Sequence, residues 1–225
     1  MQLEAPKPLP ELVYDAVLNA ICEGTLRPGE RLTQETVAER LNVSRLPVGQ
    51  ALAKLKGDGF VVEAGRRGLK VAPINAVLVR ELYEVRAGLD LISAGKAARR
   101  ITPALAGEGE ELLADGLAAA KAGDVLLLID ADWRFHWLIH EIAGNERLRD
   151  LMRAQWHHLR RIMINITRDT SDAGPAWAEH RAIWEAVCAG DAIRAERLAR
   201  AHAHQASERL QQRLASESTL QQRTA

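Results

Sequence analysis

The chain lacks most of the features that place a protein quickly. It has only two cysteines, Cys22 and Cys188, in 225 residues. That excludes a disulfide framework and leaves two reduced, buried packing residues as the simplest expectation. The stretch Met1-Gln2-Leu3-Glu4-Ala5-Pro6-Lys7-Pro8 has no apolar core of a signal peptide. No apolar run approaches the ~20 residues of a membrane span, so the expected compartment is the cytoplasm, with no membrane partner. Thirty basic side chains balance thirty acidic ones, which excludes electrostatic attraction of the whole protein to nucleic acid. Catalytic motifs are missing as well. There is no Gly-x-Ser-x-Gly elbow and no Walker loop, and His136-Trp137-Leu138-Ile139-His140-Glu141 places its glutamate outside the histidine pair. A metal-dependent hydrolase is the enzyme that the histidines invite, and it lacks its motif. The chain is read as a non-enzyme.

What charge there is sits unevenly. Between residues 43 and 70, Arg45, Lys54, Lys56, Arg66, Arg67 and Lys70 face only Asp58 and Glu63, a local net of +4. Much of this segment reads as one helix. Ser44 suits its N-cap, where a hydroxyl accepts from an orphan backbone N–H. Pro47 falls in the first turn, where its missing N–H costs little. Val48, Ala51, Leu52 and Leu55 share one stripe, with Arg45, Gly49, Gln50, Lys54 and Lys56 around the rest of the circumference. Gly57 and Gly59 supply the stop. Alone, this is also the pattern of a solvated surface helix, and the neighbouring segments decide between the two.

Upstream, Leu12, Val13, Ala16, Val17, Ala20 and Ile21 predict a first amphipathic helix, and Pro28-Gly29 punctuates the turn after it. Thr33 caps a short helix that turns Val37, Ala38 and Leu41 inward, and Thr36 three residues on offers no capping box. Asn42-Val43 joins this helix to the basic one, which makes a helix-turn-helix. Downstream, residues 60–63 and 69–72 read as two strands around Ala64-Gly65-Arg66-Arg67-Gly68. A hairpin there is a wing, with Arg66 and Arg67 set to reach phosphate or the minor groove.

Residues 11 to 73 resemble the winged helix-turn-helix of GntR-type bacterial transcription regulators. The residues that carry the resemblance are Gly24-x-Leu26-x-Pro28-Gly29-x-x-Leu32, Val43-Ser44-Arg45-x-Pro47-Val48-x-x-Ala51-Leu52-x-x-Leu55 and the glycine-containing wing. The resemblance implies that Arg45 reads a guanine or its neighbouring phosphate and that Ser44 contacts phosphate. With Pro47, Gln50, Lys54, Arg66 and Arg67 these form the expected set on a double-stranded operator. One position departs from the pattern. Gly49 stands where the family usually has a second arginine, which removes a possible bidentate guanine contact worth about 1–3 kcal/mol of discrimination. Gln50 can read adenine in its place, or simply be solvated.

After a linker at residues 74–76, no strand-like alternation remains. Helical segments are expected over 76–100, 103–121, 124–143, 146–168, 174–188 and 190–214, separated by Gly, Pro, Asn and Asp turns. The predicted fold is therefore mainly α. A winged helix-turn-helix with a small β-hairpin spans 1–73, an antiparallel all-α bundle spans 77–215, and a polar tail over 216–225 frays. A helix-rich stretch behind such a head resembles the FCD ligand-binding domain of the FadR subgroup.

None of the seven histidines lies in the head. Asp132 and His136 are four apart and share a helix face. The resemblance to FCD domains implies that Asp132, His136, His180 and His202 hold one divalent metal ion. Such a donor set suits zinc or nickel and leaves positions for water or a ligand oxygen. His140, His157, His158 and His204 are read as structural. Arg86 is placed by the same resemblance to meet the carboxylate of a small organic acid, and a plain ion pair with Asp90, one turn on, is the competing reading. The expected protein is a homodimeric, sequence-specific repressor released by an acid bound at a metal-containing site. A metal-responsive regulator is the alternative. Replacing Arg66 by Ala should lower the slope of log binding constant against log salt by about 1, measured by titrating DNA at several salt concentrations.

Overall fold

The computed structural model describes residues 7–65, 68–167, 170 and 173–224, with side chains as far as residue 216. The chain divides into two compact units, Met1–Ile74 and Asn75–Ala225. In the first, α1 (Leu9–Cys22), α2 (Gln34–Leu41) and α3 (Arg45–Gly57) accompany β1 (Arg31–Leu32), β2 (Val61–Glu63) and β3 (Leu69–Val71). The expected hairpin is present, with Val61 opposite Val71 and Glu63 opposite Leu69. The sequence reading missed β1, which pairs antiparallel with β3 and completes a three-stranded sheet of order β1-β3-β2. Two residues carry no readable alternation. The strand forms because the turn at Gly29 (φ +83°) brings Glu30 to accept from the Val71 N–H at 2.9 Å.

The head is held by one apolar core. Val48, Ala51, Leu52 and Leu55 of α3 are all buried, beside Val17 and Ile21 of α1 and Phe60, Val61 and Val71 from the wing side. Several local expectations are corrected. Leu12 and Leu41 are exposed, and Leu18 takes an inward place on α1 instead. Thr33 and Thr36 do form a capping box, because a threonine hydroxyl can close it as a glutamate would. Ser44 stands at the N-cap of α3 but makes no side-chain cap bond. The tight turn between α2 and α3 rests on Asn42 at φ +51°, a left-handed conformation that Asn tolerates better than most residues. Its N–H closes the end of α2.

The second unit is a bundle of α4 (Ala76–Ala98), α5 (Pro103–Ala122), α6 (Val125–Ala143), α7 (Glu146–Ile166), α8 (Ala173–Cys188) and α9 (Ala192–Thr224). Asn75, Thr102, Asp124 and Asn145 each cap a helix start by accepting from a first-turn N–H. α9 extends to Thr224, past the 214 expected from the sequence, and no Gly or Pro interrupts helix formers after Asp191. Cys188 is exposed, since it ends α8 just before the Ala189-Gly190 turn. Among the described residues, no helix is long and apolar enough to cross a membrane.

Two glycines let α5 and α8 approach closely. A Cβ on Gly109 would lie 2.0 Å from the Trp184 ring, and one on Gly116 would lie 2.0 Å from the Trp177 ring. Both indoles are buried and cannot swing clear. Gly109→Ala and Gly116→Ala should therefore lower stability by about 1–3 kcal/mol through overpacking. Gly107→Ala has open space and should raise it by up to about 1 kcal/mol, the ordinary helix preference. Thermal melts of the three variants give opposite signs if this packing is correct.

Candidate metal centre and nucleic-acid interface

Asp132 and His136 lie one turn apart on α6, His180 is on α8 and His202 on α9. Their ligating atoms all fall within 4.8 Å of one another. His180 Nε2 is 3.1 Å from His136 Nε2 and 3.1 Å from His202 Nε2. Asp132 Oδ1 is 3.4 Å from His180 Nε2. The second nitrogen of two rings is already engaged. His136 Nδ1 faces Asp90 Oδ2 at 3.3 Å, and His202 Nδ1 faces Glu179 Oε2 at 2.7 Å. In each of those rings the carboxylate lies on the Nδ1 side, and Nε2 is the atom on the side of the cluster.

Electrostatics favour uncharged rings. Burial, with help from Arg86, pushes the His136 pKa down to about 4 against the pull of Asp90. Burial and the two neighbouring imidazoles hold His180 well below its ordinary value. The carboxylates stay ionised. At Asp90 burial opposes ionisation, but His136, His140 and Arg86 outweigh it and hold the group well below the usual range. Glu179 is drawn down to about 2 against burial, by hydrogen bonds from His202 and Arg209 and by their charge. Three imidazole nitrogens and one carboxylate oxygen converging in a largely buried place are a donor set for a divalent transition metal. Nitrogens 3.1 Å apart can both reach one ion at bonds of about 2.0–2.1 Å.

A cavity of about 120 Å³ adjoins this centre, lined by Arg86, Asp132, His180, His202, Trp177 and Arg209 among others. The ion pair of Arg86 with Asp90 is present. Its Nε donates to Asp90 Oδ2 at 3.2 Å, its Nη2 reaches Asp132 Oδ2 at 3.5 Å, and it also faces the cavity. His140 lies outside this cluster. It bridges Asp90 Oδ1 at 2.9 Å and Ser93 Oγ at 2.7 Å. Ser93, His140 and Asp90 thus have the connectivity of a hydrolytic triad. The hydroxyl is 0% exposed, however, and the chain of bonds serves to lock α4 to α6.

Sequence reasoning missed Glu179 and Arg209, and took Asp90 only as a partner for Arg86. Arg209 follows His202 by two helical turns on one face of α9, a spacing that could have drawn attention to it. Glu179 had no such signal, because it neighbours His180 in sequence yet serves His202.

On the head, Arg45, Gln50 and Lys54 are exposed around α3, as is Ser44. Arg45 pairs with Glu35 of α2. Lys54 places its ammonium 4.4 Å above the Tyr14 ring centroid. Pro47 is buried, so it serves the start and packing of α3 rather than facing outward. Leu46 projects beside Arg45 at 74% exposure, an apolar group on the same end of the helix. A Cβ on Gly49 would lie 3.1 Å from Gln34 Nε2, so any larger residue there needs that side chain to give. Arg66 and Arg67 lie outside the described residues.

A winged helix-turn-helix followed by a helical bundle with a buried ligating cluster defines the class of two-unit, DNA-binding transcription regulators. Residues 9–71 match the family described as "Bacterial regulatory proteins, gntR family", and residues 81–205 match the FCD domain. The chain belongs to the GntR family, among the members that carry an FCD domain. It is 27% identical over 195 residues to the uncharacterized HTH-type regulator YdhC of Bacillus subtilis, spanning 83% of this chain and 84% of that one. It is 26% identical over 211 residues to the HTH-type repressor RspR of Escherichia coli, spanning 94% and 92%. Among solved structures, E. coli McbR/YncC superposes with a TM-score of 0.76 at 21% identity, covering 93% of this chain and 100% of that one. A GntR regulator from Rhodococcus sp. RHA1 gives 0.73 at 25% identity, over 89% and 96%. These relatives are regulators of transcription, not enzymes.

Elemental analysis after dialysis checks the metal set. His180→Ala should lose most of the bound metal, whereas His204→Ala, altering an exposed imidazole on α9, should keep it.

Proposed function

We propose that this regulator is a repressor released by a small organic acid bound at a metal-containing site in the bundle. The observation that carries the reading is the convergence of Asp132, His136, His180 and His202 on one point beside a cavity that Arg86 also lines. Zinc or nickel fits the donor set, and when bound such an ion would act as a Lewis acid toward a ligand oxygen. Arg86 orients an incoming carboxylate through its guanidinium, already held at the correct place by Asp90. Leu128, Ile129, Trp177 and Leu210 supply an apolar wall that excludes water from that contact. Two copies pair, so that two winged heads meet successive major grooves of an inverted repeat. The acid favours a state in which the heads no longer match that spacing, which requires different affinity for it in the two states. Similarity to the E. coli repressor RspR supports the direction of control.

On the DNA side, Arg45 exchanges Glu35 for a guanine or its phosphate, while Ser44 meets phosphate. The Arg45–Glu35 pair is exposed and costs little to break. Arg45→Ala should weaken specific binding by about 1–3 kcal/mol and leave binding to unrelated DNA much less affected. The operator is first selected from random duplexes, and fluorescence anisotropy then compares the two affinities. Equal losses on both DNAs would remove Arg45 as a base reader. A screen of small acids at constant metal then tests release. Operator affinity that follows metal alone, with every acid inert, would replace acid control by metal sensing.

A further inference from the structure

Two of the three imidazoles in the centre are tethered in the same way, from opposite sides. His136 Nδ1 meets Asp90 of α4 at 3.3 Å, and Asp90 in turn accepts from Arg86 Nε at 3.2 Å. His202 Nδ1 meets Glu179 of α8 at 2.7 Å, and Glu179 is gripped by both Nη atoms of Arg209 at 2.7 and 2.9 Å. Each chain runs imidazole, carboxylate, guanidinium, and both guanidinium groups line the same cavity. His180 differs. Its Nδ1 is buried and has no hydrogen-bond partner among the described residues. Its ring is held by contact with Phe135 and Trp177, both 4.7 Å away between centroids.

We infer that Asp90 and Glu179 are positioning residues of the metal centre, each fixing one histidine with its Nδ1 protonated and its Nε2 free for the ion. The physical reason is tautomer choice. A buried imidazole with a carboxylate on Nδ1 keeps its proton there, and the charge behind it makes Nε2 a better donor. Arg86 and Arg209 keep those carboxylates in place and compensate their charge. Neither acid is a metal ligand, since neither belongs to the convergent set of four. This assignment rests on the metal reading above for its consequence, but the tautomers themselves do not need the ion.

Glu179 offers the cleaner test, because it is partly exposed while Asp90 is fully buried against Arg86. Zinc affinity is measured on the full-length protein by chelator competition for wild type, Glu179→Ala, Glu179→Gln and Asp90→Asn. Long-range ¹⁵N–¹H spectra report the tautomers of His136 and His202 in the metal-free protein. Glu179→Ala should weaken zinc binding about 10- to 100-fold and shift His202 away from the Nδ1–H form, with His136 unchanged. Glu179→Gln, which keeps an acceptor but not the charge, should restore the tautomer and part of the affinity. Asp90→Asn should weaken zinc binding with His202 unchanged; if it fails to fold, the Glu179 pair carries the test. Unaltered zinc affinity and an unaltered His202 tautomer in Glu179→Ala would overturn the inference. Wild type that binds no zinc or nickel would end the metal reading, and the His202 tautomer in Glu179→Ala would still decide the positioning role.

Discussion

Asp90 is the carboxylate on which the bundle interior turns. It is buried on α4 and faces Arg86 of its own helix and His136 and His140 of α6. A lone charge there would carry a severe desolvation penalty, and three partners from two helices compensate it. That requirement places α6 against α4. It also aims His136 inward and sets Arg86 at the cavity wall. Ser93 extends the same network through His140, so the polar interior is shared between structural locking and ligand placement. The hydrophobic layer around it, from Phe135 to Trp177 and Trp184, then needs the two glycines of α5 for its close approach.

The head solves a different problem with simpler means. Its core is apolar throughout, and its polar groups stay near the surface in weak pairs such as Arg45–Glu35 and Lys56–Glu63. Exposed pairs of this kind contribute little to stability and are readily exchanged for phosphate. The local excess of +4 between residues 43 and 70 stands within a protein of zero net charge. On α3 the space beside Gly49 is closed off by the Gln34 side chain of α2.

Much of this was legible in the chain. Long periodic segments, caps and turn residues placed the bundle helices to within a few residues, apart from the end of α9, because helix formation depends on neighbours three and four apart. The limits of that locality are visible too. The two residues of β1 form a strand only through pairing with β3, some forty residues away. Leu12 and Leu41 had the right spacing for a core but face solvent, since a stripe tells which residues share a side and not how far the core extends. The last helix runs to Thr224 rather than ending at 214, because the segment carries helix propensity without interruption.

The candidate ligand set divides in the same manner. Asp132 and His136 share a turn, so their common face is a property of sequence, whereas His180 and His202 were attached to them by family likeness alone. Bringing four atoms within 4.8 Å required three helices to pack at one angle and register. The supporting shell was beyond reach of any spacing rule, because Glu179 serves a histidine on another helix and Asp90 serves two on α6. The sequence by itself determined the class of protein and the order of its helices, both set by short-range periodicity and local chemistry. Only the tertiary structure decided which imidazoles are tethered, which is left with a bare nitrogen, and that both arginines open on one cavity. Those are relations between side chains distant in the chain, and packing alone brings them together.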